Sequence, residues 1–433
     1  MPPPDVAVVG GGITGLATAW FLQQAGAAVT LYEAGGRLGG KIQTSSMDGV
    51  PVELGPDTFL ARVPWAVDLC RELGLSDDLV VPATGKAYVW TRRRLRPLPG
   101  GTVLGVPARL GPLARAGIVS PAGLARAGLD LVLPRHSGGD DPSVAEVVGG
   151  RFGAEVVDRL VEPLIGGIHA GRADRLSLAA VAPQVAGPAS APGGRSLLRA
   201  LRKAPAGPGG PGSPVFLGLR GGLGRLTARL AECLHGVDVR LDAPVTELLP
   251  GRVVVTVPAF AAADLLPAAA DDLRAIEYAS VVTVTLAYEP GALAGPLDGS
   301  GFLVPRIDGR LMTACTWLTS KWPDLAGGGR VLLRASAGRI GDDQALALDD
   351  ATLAARLHGE LVEAMGLRRE PEEALVTRWP RSFPQYDVGH QARVARIETA
   401  LPPGVVVAGA AYRGVGIAAC IHQARQAAAT VLR

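Results

Sequence analysis

Lysine is nearly missing from this chain of 433 residues: Lys41, Lys86, Lys203 and Lys321 are the only four among 43 basic residues. With 40 acidic residues the net charge is only +3, and no basic stripe runs along one segment. Nucleic-acid binding is therefore not expected, because phosphate tracking needs a continuous basic face. Cysteine is scarce and scattered, at Cys70, Cys233, Cys315 and Cys420, with no C-x-x-C pair. That argues against a disulfide framework or a zinc site and favours a reducing compartment. The six histidines show no H-x-x-x-H or H-E-x-x-H spacing, so no metal is expected. No apolar run is long enough to span a bilayer. The first strand candidate starts at residue 5, which leaves no room for a leader peptide. A cytoplasmic protein follows, with any membrane contact peripheral. Alanine, arginine, glycine and proline are heavy throughout, so glycine or proline counts carry little information here.

What is present concentrates in the first forty residues. Asp5 to Val9 is an apolar strand candidate running into Gly10-Gly11-Gly12-Ile13-Thr14-Gly15. An alanine-rich helical stretch follows to about Ala25, then a second strand from Ala27 to Tyr32, ending at Glu33. In the spacing G-x-G-x-x-G, Gly10 permits the tight turn, Gly12 lets backbone approach a pyrophosphate, and Gly15 lets helix pack on strand. The helix N-terminus offers free N–H groups and a partial positive charge to phosphate. Glu33 is placed to accept from a ribose hydroxyl. Strand, glycine turn, helix, strand and acid in that order point to a dinucleotide.

The next segment says which one. Arg37-Leu38-Gly39-Gly40-Lys41 supplies two cations and two adjacent glycines, suited to a second pyrophosphate contact. Gly55-Pro56-Asp57-Thr58-Phe59 follows a short polar stretch. This pattern resembles the FAD-binding half of the amine-oxidase-like flavoproteins. The expected fold class is α/β: a Rossmann-like FAD-binding domain with inserted helical and sheet-rich substrate domains.

Along the chain, 65–80 reads as one helix, Lys86 to Trp90 as a strand, and Thr91 to Arg96 as a basic turn. The pattern is helical over 108–180, with breaks near Pro121 and Pro134, and 187–214 reads as a mobile Gly/Pro/Ala/Ser loop. Strand Val237 to Leu241, strand-rich 278–335, a helix Asp349 to Met365, a buried strand Val405 to Ala408 and a last helix from Gly416 complete the pass. The expected division is an FAD-binding domain built from 1–85, 215–258 and 375–433, a helical substrate- or membrane-facing domain over 86–214, and an α/β substrate domain over 259–374. Pro250-Gly251 joins two apolar runs, either as a two-residue hairpin or where a longer excursion has been lost.

Several segments together resemble the porphyrinogen oxidases, meaning protoporphyrinogen oxidase and the coproporphyrinogen oxidase of Gram-positive bacteria. They are Val9 to Leu16, Gly55 to Phe59, Val161 to Ile168, Gly218 to Gly222 and Gly301 to Pro305. Late in the chain come Arg378-Trp379-Pro380, Pro384 to His390 and Ala411 to Ile417. The resemblance covers nearly the whole chain in order. It implies that FAD is held by Gly10, Gly11, Gly12, Ile13, Thr14, Gly15, Glu33, Ala34, Lys41, Gly55, Pro56, Asp57 and Thr58. It further implies Val245 on the adenine side, Trp379 at the isoalloxazine and Val415, Gly416 and Ile417 at the pyrimidine end. Three departures stand out: His169 replaces the family's usual tyrosine, Gly409-Ala410 lacks the aspartate that many flavoproteins use near the final strand, although this family also tends to lack it, and 245–253 is shorter than the family pattern.

The resemblance also implies the chemistry: hydride leaves a meso carbon and a proton leaves a pyrrole nitrogen, repeated until the macrocycle is conjugated, with dioxygen as final acceptor. It implies transfer of product to a ferrochelatase-type partner. Such a reaction needs an apolar slot and a cation for the propionates rather than a nucleophile. Gly167 and Leu303 are the expected slot residues. Lys86 with Arg92, Arg93, Arg94 and Arg96 are the expected propionate partners, and this cation count favours coproporphyrinogen III over protoporphyrinogen IX. An amine oxidase or carotenoid desaturase of the same fold is the competing reading, against which the late motifs count. A non-catalytic flavoprotein is the reading from another class.

Overall fold

The structure is a computed structural model and describes residues 5–132, 139–190, 196–203, 213–293 and 295–433. The chain forms two compact units: Met1–Val81 with Ala206–Glu277 and His390–Arg433, and Pro82–Pro205 with Tyr278–Gly389.

The first unit is built on a five-stranded sheet in the order Val237–Arg240, Ala28–Tyr32, Asp5–Val9, Arg252–Val255, Val405–Val407. Every neighbouring pair is parallel. Parallel strands are covered on both faces and so read as unbroken apolar runs. Val8, Leu31, Val253, Val254 and Val255 are fully buried accordingly. Helices Ile13–Gln24 and Ile417–Val431 share the core over this sheet, where Leu16, Leu22, Leu31, Val254, Ile421 and Ala424 meet.

Two expectations fail here, for local reasons. The helix expected over 65–80 runs only over Pro64–Glu72. Gly74 takes φ +73, which ends a helix, and Leu79–Val80 is instead an edge strand beside Phe216–Leu219. The Pro250-Gly251 hairpin is absent. Val237–Arg240 and Arg252–Val255 are parallel to their neighbours and have two strands between them. A two-residue turn joins only antiparallel neighbours, so the irregular stretch 241–251 is a crossover. Its first residues extend the edge strand, with the amides of Asp242 and Ala243 donating to the carbonyls of Gly35 (3.1 Å) and Glu33 (2.9 Å).

The second unit carries a seven-stranded sheet in the order Glu373–Pro384, Tyr278–Tyr288, Val331–Ala337, Met312–Trp317, Gly301–Leu303, Tyr88–Thr91, Arg94–Pro97. All pairs are antiparallel except Gly301–Leu303 with Tyr88–Thr91. Strands from the expected helical insertion thus complete the sheet of the other, and the two form one unit. Residues 259–277 belong to the first unit and 375–389 to the second, so both boundaries shift from those expected. Helix Asp350–Met365 starts on an Asp349 side chain accepting from the Thr352 amide at 2.9 Å and stops at Gly366, φ +69. It buries Leu353, Leu357 and Leu361 in the core with Val284, Leu286 and Leu333 of the sheet.

The 108–180 stretch is a run of short helices, broken at Pro121 as expected; Pro134 lies outside the described residues. Of the loop expected over 187–214, residues 191–195 and 204–212 lie outside them. Leu197–Lys203 is helical, because the buried Asp130 carboxylate accepts from Ser196 Oγ (2.7 Å) and the Leu198 amide (2.9 Å) at its start. Among the described residues no helix is long and apolar enough to cross a membrane.

Candidate functional site

The glycine turn in the first unit divides its labour residue by residue. Gly10 sits at φ +108, where a Cβ would meet Thr256 Oγ1 at 2.8 Å. Thr256 closes the turn by donating to the carbonyls of Val9 (2.9 Å) and Gly10 (3.0 Å). A Cβ on Gly15 would lie 1.8 Å from the Gly10 carbonyl oxygen, so this glycine fixes the helix-to-strand distance. Gly12 differs: a Cβ there would meet nothing within 4 Å. Gly12 caps helix Ile13–Gln24 with no side-chain hydrogen bond, and the first turn carries no acid. The amide donors that a helix start leaves over thus face open space beside a bare glycine.

Glu33 does two things at once. Its Oε2 accepts from the Gly11 amide at 2.7 Å and its Oε1 from the Gly35 amide at 2.9 Å. An ionised carboxylate offers about four acceptor positions, which leaves room for ribose hydroxyls. Ala34 beside it is exposed. The second glycine pair folds against the first: the Gly39 amide donates to the Gly11 carbonyl at 2.8 Å. A Cβ on Gly40 would come 3.1 Å from Gly12 Cα. Lys41 follows directly and is exposed, while the protein packed beside it partly desolvates its ammonium and lowers its pKa. A pyrophosphate beside it would reverse that shift.

Gly55, Pro56, Asp57 and Thr58 are half-buried between strands Val50–Glu53 and Phe59–Leu60. Val245 is half-buried on the crossover that leaves the Glu33 backbone. At the other end, Gly416 caps helix Ile417–Val431 with no side-chain hydrogen bond and no acid in the first turn. Gly414, φ +129, must be glycine, since a Cβ would sit 2.6 Å from Ala419 Cβ. Gln423 reaches back from this helix to the amides of Gly409 and Arg413, both at 3.3 Å. The first unit therefore presents two uncapped helix starts, Lys41 and a ribose-ready carboxylate, a donor set that suits FAD.

In the second unit the structure brings Gly167 and Leu303 together: a Cβ on Gly167 would lie 3.2 Å from Leu303 Cδ2. Gly167 is exposed on helix Glu162–His169, which follows a π-helical turn, Val157–Val161. Trp379 is half-buried on strand Glu373–Pro384, opposite Val281.

Two of the five expected propionate cations are engaged, while Arg96 Nε is buried without a hydrogen-bond partner. Lys86 Nζ pairs with Asp298, which also accepts from Tyr88 Oη at 2.6 Å, and this pairing raises the Lys86 pKa. Arg92 pairs with Glu155. Arg92 and Arg93 take φ +51 and +60 at the tip of the hairpin between Tyr88–Thr91 and Arg94–Pro97. His169 is 6% exposed, and burial pushes its pKa down to about 4. Its Nδ1 is buried without a partner, and its backbone carbonyl accepts from Gln385 Nε2 at 2.9 Å.

Charge gathers elsewhere. A small open-sided cleft lies against Gly167 and is lined by Glu162, Gly166, Val304, Arg306 and Arg339 among others. Arg306 Nε donates to Glu162 Oε1 at 3.2 Å. Burial raises the Glu162 pKa, with Arg306 opposing. Glu162 and Gly167 sit in a segment that carries the family resemblance, yet neither arginine stands out in so arginine-rich a chain. The one local signal for Arg306 is a cation placed directly after the Gly301 to Pro305 run.

Comparison with known proteins agrees with this arrangement. Residues 13–432 match the family model described as flavin containing amine oxidoreductase. The coproporphyrinogen III oxidase of Bacillus subtilis (strain 168) is 37% identical over 460 positions, covering 99% of this chain and 97% of that protein. That of Mycobacterium tuberculosis H37Rv is 37% identical, covering 100% and 98%. A chloroplastic protoporphyrinogen oxidase of Nicotiana tabacum is 29% identical, covering 99% and 85%. The crystal structure of an Exiguobacterium sp. 255-15 protein, provisionally described as a protoporphyrinogen oxidase, superposes with a TM-score of 0.90 at 32% identity, covering 100% and 99%. The chain belongs to the flavin-containing amine oxidoreductases, on their porphyrinogen oxidase branch.

Proposed function

We propose that this protein oxidises coproporphyrinogen III to coproporphyrin III in haem biosynthesis. The observation that carries the choice is the similarity to coproporphyrinogen III oxidases over essentially the full length of both chains at 37% identity. Bound FAD supplies the two-electron acceptor, and dioxygen takes the electrons onward to hydrogen peroxide. Each round removes a hydride from a meso carbon and a proton from a pyrrole nitrogen, and three rounds conjugate the ring.

On this reading Gly10 to Gly15 and Gly39-Gly40 admit the pyrophosphate and Lys41 neutralises it. Glu33 and Ala34 meet the adenosine ribose, Gly55 to Thr58 the flavin side, and Val245 the adenine. Trp379 is assigned to the isoalloxazine, and Val415 to Ile417 to its pyrimidine end. The uncapped helix start at Gly416 supports that last role, because its amides favour negative charge. Gly167 and Leu303 flank the substrate slot. His169 is neutral at physiological pH and shapes the slot rather than carrying charge into it. Contact with a membrane is peripheral, supported by the exposed Leu129 and Val132. Coproporphyrin passes to a ferrochelatase-type partner.

The test is steady-state oxidation of both porphyrinogens followed by porphyrin fluorescence. The expected result is a higher kcat/KM for coproporphyrinogen III. A higher value for protoporphyrinogen IX would reassign the substrate, and no porphyrin from either would sink the reading.

A further inference from the structure

The cleft beside Gly167 holds more positive charge than its own carboxylate answers. Arg306 gives Nε to Glu162, but its Nη2 is buried with no partner. Arg339 is 8% exposed. Its Nη2 donates to the Arg310 carbonyl at 3.3 Å, while its Nε is buried with no hydrogen-bond partner and lies 4.0 Å from Asp342 Oδ2. Buried donors are nearly always satisfied in folded proteins. Here two guanidinium N–H groups, on two arginines lining one cleft, are not. Burial and the like charge of Arg306 lower the Arg339 pKa, opposed by the carboxylates of Asp342, Glu162 and Glu360.

The fold keeps both arginines in place. Arg306 opens a short 3₁₀ turn, Arg306–Asp308, whose Asp308 is pinned by Arg159 at 3.2 Å. Arg339 follows Gly338, which takes φ +89 and has no room for a Cβ, since one would lie 2.6 Å from the Ser280 carbonyl oxygen. The next residue ties this loop to the end of helix Glu162–His169: the Ile340 amide donates to the Ala170 carbonyl at 2.7 Å. Apart from Thr313, the remaining walls, Pro163, Gly166, Gly167, Gly171, Val304 and Gly338, are small or apolar.

We infer that Arg306 and Arg339 form a clamp for one carboxylate of the substrate, a propionate carried on an apolar ring. Two unpartnered donors on separate guanidinium groups that line one cleft match the two oxygens of a carboxylate, and charge-assisted bonds of this kind are the strong ones. The identity of the carboxylate's bearer rests on the porphyrinogen oxidase reading above.

The test uses the flavin-loaded protein and two probes, coproporphyrin III and its tetramethyl ester, with binding read by quenching of porphyrin fluorescence. Arg339→Met is expected to weaken coproporphyrin III binding roughly 10- to 100-fold and to leave the ester unchanged. The double variant Glu162→Gln/Arg306→Gln, which leaves no stranded carboxylate, is expected to do the same. Glu162→Gln alone removes the competing anion and is expected to tighten binding of the acid. If Arg339→Met fails to fold, by flavin content and thermal midpoint, the double variant decides. Wild-type affinity in the folded variants, or equal losses for acid and ester, overturns the clamp while turnover by the wild type leaves the functional reading standing. A wild type that neither binds nor oxidises a tetrapyrrole overturns both.

Discussion

Glu33 is the residue where binding and folding are hardest to separate. Its carboxylate accepts from the Gly11 and Gly35 amides at 2.7 and 2.9 Å, so it braces the turn, and on the proposed function it also meets a ribose. Glu33→Ala is expected to weaken FAD binding by roughly 1.5–3 kcal/mol for the lost charged acceptor. A smaller loss of stability accompanies it, measurable on the flavin-free protein. An unchanged FAD dissociation constant would remove Glu33 from the ribose. His169 makes a prediction about pH. Its folded pKa is about 4, whereas a free histidine titrates near 6.5. Between these values the unfolded chain binds more protons, so stability rises with pH and is lost as pH falls from 6.5 towards 4. The loss amounts to about 3 kcal/mol by the end of that window. His169→Phe is expected to flatten the dependence of the urea midpoint on pH there; an identical slope in the variant would contradict it.

At the scale of the element, the glycine turn separates two roles that look alike in a motif. Gly15→Ala places a Cβ 1.8 Å from a backbone oxygen, so the helix must move off the strand and the protein is expected to lose stability with or without flavin. Gly12→Ala places a Cβ in open space at φ −73, with no backbone strain. It is expected to leave the thermal midpoint of the flavin-free protein almost unchanged and to weaken FAD binding. The pair is checked by measuring midpoint and FAD affinity for each. If Gly12→Ala binds FAD as well as the wild type, no phosphate approaches that glycine. The crossover 241–251 is the other element with a consequence. It starts on hydrogen bonds to the Glu33 and Gly35 backbone, so a disruption there is felt at the ribose end of the site.

For the molecule as a whole, nothing in the described cysteines or histidines suggests a covalent flavin link. Cys420 lies in the first turn of helix Ile417–Val431, and burial raises its pKa, which keeps it a thiol. The flavin is expected to be non-covalent and stoichiometric with chain, so acid precipitation should release it into the supernatant. Yellow colour retained in the pellet would contradict this. Added FAD is expected to raise the thermal midpoint of the flavin-free protein in a concentration-dependent way, since a ligand that binds only the folded state stabilises by mass action.

The sequence by itself determined the dinucleotide turn, because every requirement of that turn is local. Gly10, Gly12, Gly15 and Glu33 lie within one strand–helix–strand unit whose periods are readable residue by residue. It also determined the family, through short segments spread in order along the chain. It did not determine which cations face the cleft. Lys86 reads as a free cation until the sheet brings Asp298, 212 residues away, to its ammonium. Arg306 and Glu162 are 144 residues apart and meet only because a helix packs beside the strand end. Nor did it determine strand direction around Pro250. A Pro-Gly pair suits a hairpin locally, but the partners of Arg252–Val255 are Asp5–Val9 and Val405–Val407, chosen by burial across the whole sheet. Local stereochemistry decides turns and caps within a few residues. Electrostatic pairing and sheet order depend on neighbours that only tertiary packing supplies.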